Sequence, residues 1–327
     1  MIVSAPGAWD RFSMSSRSKW QGLPTEAINP STLAIDKLSS AEIVDAMMSE
    51  DRKMLAAVHR EKDRIAVGVD IITQVLRRGG RIIFVGAGTS GRLGLLEAAE
   101  MPPTFGTDPA LVQAIMPGGK AAIVRPRGGV EDNYERGSRS IARLKPSPKD
   151  VVIGVSASGM TQFVRGALTR ARRVGSKIVF VTCDPHTELQ TFVDLTIAPA
   201  VGPEVIAGST RLKAGTATKL VLNMLTTAAM IRIGKTYGNL MVDVETGSEK
   251  RKDRARRIIG MVTGLESDMA DKLLRRAHWN VKAAIVMQRS GLTFPLALSR
   301  LKDAHDFVRD AIGEDAENRL KELLKVG

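Results

Sequence analysis

The stretch RIIFVGAGTSGR at residues 81–92 decides the fold. Residues 81–86 read as a buried strand, apolar from Ile82 to Val85, which passes directly into a glycine-rich turn holding two hydroxyls, Thr89 and Ser90. Residues 93–99 then carry helical spacing. A strand, a glycine turn and a helix make the opening unit of an α/β protein, and the chain repeats the theme. Residues 111–116, 150–155, 177–182 and 195–198 read as further strands, with helices predicted over 162–174 and 216–233. Strands that are apolar throughout, rather than alternating, belong in a sheet covered on both faces. The expected fold is therefore α/β, a doubly wound parallel sheet.

On the N-terminal side, residues 1–20 lack periodicity and read as a loose arm. Ser39 is placed to cap a helix whose first turn holds Glu42, and apolar residues at helical spacing predict one long helix over 51–78. Beyond residue 245 no strand pattern remains. Residues 250–257, KRKDRARR, open a helix, and 268–276, 281–287 and 295–308 read as short helices of a small helical subdomain.

Composition narrows the class. The 327 residues carry 43% hydrophobic and 25% charged residues, as an ordinary globular protein does. The longest uncharged apolar helical stretch, 220–231, is short of the roughly 18 residues that cross a bilayer. No apolar signal segment is expected at the N-terminus, and a single cysteine, Cys183, suits a reducing cytoplasm. Four scattered histidines and one cysteine do not make a zinc cluster. The net charge of +13 leaves nucleic acid to be considered, yet aromatics are only 4% and none interleaves the basic 250–257 run, which reads as a solvated helix face.

Chemistry concentrates where strands end. The turn at 86–92 lacks the Lys-Ser/Thr ending of a P-loop, but it offers backbone N–H groups at a helix start beside Thr89 and Ser90. SASGMT at 156–161 repeats the arrangement with Ser156, Ser158 and Thr161. Either turn alone reads equally well as a capped helix. Two of them, each after an apolar strand, favour a compact phosphate held without a metal. A third segment, GSTRLKAGT at 208–216, adds Ser209, Thr210 and Lys213. Cys183, His278 and Trp279 read as packing residues.

The runs VGAGTSGRLGLLEAAEMPPTF, GPEVIAGSTRLKAGTATKLVLNML and YGNLMVDV, in that order, resemble the N-acetylmuramic acid 6-phosphate etherases, enzymes of the sugar isomerase (SIS) fold related to the vertebrate glucokinase regulatory protein. The likeness extends from about residue 24 to the last helices. It implies an N-terminal arm and first helix at 1–50, an SIS sugar-phosphate domain at 51–245 and the helical subdomain at 246–327. It also implies loss of D-lactate from the sugar by elimination, followed by addition of water, with no cofactor and no metal. Glu100 would protonate the departing lactate oxygen and Glu131 would remove the C2 proton. Thr89, Ser90, Ser156, Ser158 and Thr161 would hold the phosphate, and Ser209, Thr210 and Lys213 would contact the substrate. The implied protein is a cytoplasmic homodimer whose neighbouring subunits complete the site, without nucleic-acid or membrane partners. Met160, Gln162, Gly128, Ile28 and the 246–248 segment depart from the family pattern and bear on specificity. The competing readings are an SIS-fold sugar-phosphate isomerase, which needs no acid at Glu100, and a non-catalytic sugar-phosphate sensor.

Overall fold

Five apolar runs pair side by side in the computed structural model, which describes residues 20, 22–119, 121–125 and 128–325. The N-terminal arm, apart from Trp20, lies outside the described residues. The strands β1 (Ile82–Gly86), β2 (Val112–Ile115), β3 (Val151–Val155), β4 (Lys177–Val181) and β5 (Leu195–Ile197) are all parallel, in the order β2-β1-β3-β4-β5. Side chains alternate across the sheet, as the pleat requires. Ile82, Phe84, Val151, Ile153, Val179 and Val181 enter one core, whereas Ile83, Val85, Val152, Ile178 and Phe180 enter the other.

Helices cover both faces. The first core takes side chains from α1 (Ser40–Arg60), α2 (Lys62–Arg77), α3 (Gly88–Phe105) and, after three further helices, α7 (Lys213–Arg232). The other face is closed by α5 (Tyr134–Arg143) and α6 (Gln162–Arg173), while the short α4 (Ala121–Val124) stands over the cleft at the strand ends. Ser39 caps α1 in a reciprocal box with Glu42.

The helix expected over 51–78 is two helices. The chain breaks at Glu61 (φ −89°, ψ 5°), whose carboxylate accepts the Ala198 N–H at 3.0 Å just beyond β5. Helix α3 also begins at Gly88 and runs past Pro102 and Pro103 to a left-handed stop at Gly106, beyond the expected 93–99.

Residues from Tyr237 onward build a separate cluster from α8 (Glu249–Thr263), α9 (Ser267–Arg276), α10 (Val281–Ser290), α11 (Phe294–Asp303), α12 (Val308–Ile312) and α13 (Ala316–Lys325). Helix α10 is its axis, with residues 281–287 all buried. Its Lys282 reaches Asp243 at 2.6 Å, and Asp243 also meets Lys235. The stretch expected as one helix over 295–308 is divided by a turn in which His305 and Asp306 take positive φ. Four of the six cations at 250–257 pair with carboxylates: Arg251 with Glu245, Lys252 with Glu249, Arg256 with Asp271 and Arg257 with Asp253. Lys252 and Arg256 also stack over the Trp279 ring.

Candidate active site

Strand order sets the location. From β1 the chain moves outward to β2 and then returns to the opposite side as β3, so the crevice between the carboxyl ends of β1 and β3 is the topological switch point. Gly86 ends β1 directly opposite Val155, the end of β3. Neighbouring strands are about 5 Å apart, so the two hydroxyl turns that follow stand side by side.

The first turn depends on a close approach. Gly86 and Gly91 touch backbone to backbone, and a Cβ on Gly91 would lie 2.6 Å from the Gly86 carbonyl oxygen. That contact brings the start of α3 onto the strand end. No side chain caps α3, leaving its first-turn N–H groups and the Thr89 and Ser90 hydroxyls facing the cleft. In the second turn, the Ser156 and Thr161 hydroxyls lie 2.7 Å apart. The turn is braced from β4, because the Cys183 N–H and the Thr182 hydroxyl both donate to the Ala157 carbonyl. Burial, aided by the Glu204 charge, pushes the Cys183 thiol up to about 12, so this cysteine packs as an inert group.

Between the turns lies a cleft of about 350 Å³. Its walls include Thr89, Ser90, Ser156, Ser158, Thr161 and Thr210, together with the carboxylates of Glu26 and Glu131. Glu131 comes from the loop between α4 and α5, and its carbonyl accepts the Phe163 N–H at 2.9 Å. Arg92 also lines the cleft, but it donates through Nε to Ile123 O (2.8 Å) and through Nη2 to Ala122 O (3.2 Å). It thereby ties α4, the helix before the Glu131 loop, to α3.

Three expected site residues lie elsewhere. Ser209 does not line the cleft. Lys213 is buried, and its ammonium pairs with Glu50 of α1, which also takes Lys53. Burial alone pushes the Glu50 carboxyl up, but the two lysines hold it below its ordinary value. The N-terminus of α7 is itself occupied: the Glu204 carboxylate accepts N–H groups from Lys213 (3.2 Å) and Ala214 (2.9 Å). An anion is thus already in place at α7, whereas the start of α3 is open to one.

Glu100 sits ten residues after Ser90 along α3, about 15 Å at the rise of an α-helix. It lines a separate groove between α3 and α7, beside Glu97, Lys219, Asn223, Thr236 and Asn239. Glu97 is buried there under hydrogen bonds from Asn223 and from the Thr226 hydroxyl (2.7 Å), and burial pushes its carboxyl up. Glu26 also lines the cleft, although it lies near the N-terminal limit of the family likeness, far from the runs that carry it. A lone glutamate in an N-terminal turn carries no local signal of entering a cleft formed 60 residues later.

Residues 64–172 match the glucokinase regulatory protein N-terminal SIS domain, and residues 130–228 match the SIS domain. An N-acetylmuramic acid 6-phosphate etherase from Salinibacter ruber is 47% identical over 304 residues, 93% of this chain and 98% of its own. The enzyme of that name from Caldanaerobacter subterraneus is 43% identical over 305 residues, again 93% of this chain and 98% of its own. The one from Clostridioides difficile is 44% identical over 292 residues, 89% and 96% of the two chains. With a switch-point cleft of two hydroxyl turns and a carboxylate, and with relatives matched nearly end to end, the chain belongs to the N-acetylmuramic acid 6-phosphate etherase family.

Proposed function

We propose that the protein cleaves the lactyl ether of N-acetylmuramic acid 6-phosphate, giving D-lactate and N-acetylglucosamine 6-phosphate. The observation that carries this reading is Glu131 sharing one cleft with both hydroxyl turns. The phosphate accepts hydrogen bonds from the α3 N-terminus and from Thr89, Ser90, Ser156, Ser158 and Thr161. In the open-chain sugar the C2 proton is acidic because it lies alpha to the C1 aldehyde. Glu131 takes that proton, and the electron pair forms the C2–C3 double bond as the C3–O bond breaks. Glu100 gives its proton to the departing lactate oxygen. Water then adds at C3, and a proton returns to C2. The two steps together are a carbon–oxygen lyase reaction with re-addition of water.

The acid and the base act on adjacent carbons, and each must come within hydrogen-bond reach of its target. Within one chain α3 carries Glu100 away from the cleft, about 15 Å from Ser90. A second copy that supplies Glu100 resolves this. Leu96, Met224 and Ile231 present exposed apolar side chains on α3 and α7, the helices that form the Glu100 groove, and suit such a contact.

Incubation with N-acetylmuramic acid 6-phosphate and assay of D-lactate tests the reaction. Lactate release that is lost in Glu131→Gln, together with C2 proton exchange, is the expected result. Folded protein that releases no lactate overturns the etherase reading, and C2 exchange without lactate release would instead favour a sugar-phosphate isomerase.

A further inference from the structure

The cleft holds a second carboxylate that the reaction scheme leaves unused. Glu26 closes a short 3-10 turn, Pro24–Glu26, and lines the same cleft as Thr89, Ser156 and Glu131. Its segment is strapped onto the loop before α7. Asn29 Nδ2 donates to Pro203 O at 3.2 Å, and the Thr32 hydroxyl donates to Val205 O at 3.0 Å. Thr25, Asn29 and Thr32 are buried in the seam. Gly208 leaves room for the Glu26 carboxylate, since a Cβ there would stand 3.0 Å from Glu26 Oε2 on a backbone of φ +75°.

Among the described residues, nothing hydrogen-bonds or ion-pairs with this carboxylate. Glu26 is exposed at the mouth of the cleft, whereas the buried Glu50, Glu97 and Glu204, none of which lines this cleft, take hydrogen-bond donors from the protein. A carboxylate held open in a ligand cleft has only acceptor atoms to offer. It repels a phosphate, so the phosphate belongs at the hydroxyl turns and the uncharged part of the ligand belongs at Glu26.

Resting on the phosphosugar reading above, we propose that Glu26 is a sugar-recognition residue whose carboxylate accepts hydrogen bonds from neutral donors, hydroxyl or amide N–H, of the bound phosphosugar. It sets which way the sugar lies between the phosphate turns and Glu131. The proton chemistry stays with Glu131.

The test uses the full-length protein, its Glu26→Gln and Glu26→Ala variants, and two probes in calorimetric titrations, N-acetylglucosamine 6-phosphate and inorganic phosphate. Loss of a charge-assisted hydrogen bond predicts roughly tenfold weaker phosphosugar binding in both variants. Inorganic phosphate binds as well as before, or better, once the negative charge is gone. At saturating substrate the Glu26→Gln variant exchanges the C2 proton more slowly, because the sugar is no longer set before Glu131, whereas Glu131→Gln abolishes exchange. Phosphosugar affinity within about twofold of the parent in both variants overturns the proposal, as does a parallel loss of inorganic phosphate binding, which would mark a structural role. Abolished exchange in Glu26→Gln with exchange retained in Glu131→Gln overturns it too, by making Glu26 the base. A parent protein that binds no phosphosugar removes the functional reading itself, whereas a parent that releases lactate alongside unaffected Glu26 variants removes only this assignment.

Discussion

The Phe163 N–H donates to the Glu131 carbonyl at 2.9 Å, joining the proposed base to the first turn of α6 just past the second hydroxyl turn. The joint depends on two helices in backbone contact. A Cβ on Gly166 would meet the Tyr134 carbonyl oxygen at 2.0 Å, and one on Gly137 would meet the Phe163 carbonyl oxygen at 1.9 Å. Gly166→Ala therefore forces α5 away from α6 and displaces Glu131. Overpacking of this kind costs about 2 kcal/mol in urea unfolding. Misplacing the base should lower kcat by at least about tenfold. An unchanged kcat in a destabilised protein would separate the helix seam from the chemistry.

Arg92 fastens α4, the helix before the Glu131 loop, through the Ala122 and Ile123 carbonyls. Arg92→Ala removes both bonds while leaving the phosphate turns intact. Hydrogen exchange over residues 121–125 should accelerate, with little change in β1 and β3, and kcat should fall more than KM rises. Arg92→Lys, which offers one point donor in place of the fork, should recover only part of the rate. Unaltered exchange in α4 would rule out the tether.

The sheet was legible because buried parallel strands are apolar along their whole length, and the switch-point turns because glycines and hydroxyls cluster directly after them. Tertiary partners far away in sequence were not legible. Nothing near Lys213 signals that Glu50, on the first helix, would take its ammonium. The start of α7 at Lys213 rather than at residue 216 follows from Glu204, a cap from nine residues upstream. The break at Glu61 depends in the same way on Ala198. Periodicity reports which face is buried, and these three features depend on polar bonds that periodicity does not register.

The buried Glu50–Lys213 pair gives a pH signature. Glu50 has a folded pKa below its ordinary 4.5, so its contribution is present above that value and lost as pH falls through the folded one. Lys213→Met leaves a buried carboxylate with only the more exposed Lys53 beside it, at a cost of about 3 kcal/mol near neutral pH. Burial then raises the Glu50 pKa above its unfolded value, and protonation relieves the uncompensated charge. The stability gap between parent and variant should narrow as the pH is lowered from about 7 to about 4 in urea titrations. A gap independent of pH would show that the pair contributes packing alone.

Glu100 and Glu131 line different cavities of one chain and share no wall residue. If both act on one substrate, they come from different copies, and mixing tells the two arrangements apart. Glu100→Gln and Glu131→Gln should each be inactive. Unfolded together in equal amounts and refolded, half of the dimers pair one variant with the other. Such a dimer holds one site with both glutamates intact and one with neither, so the mixture should recover about a quarter of the parent activity. Sites built within a single chain recover nothing, because each then carries one substitution. Ile231→Glu, placed in the apolar face beside Glu100, should shift the protein toward monomer in sedimentation and abolish lactate release while leaving inorganic phosphate binding in place. A monomeric Ile231→Glu protein that still releases lactate would return Glu100 to its own chain's cleft.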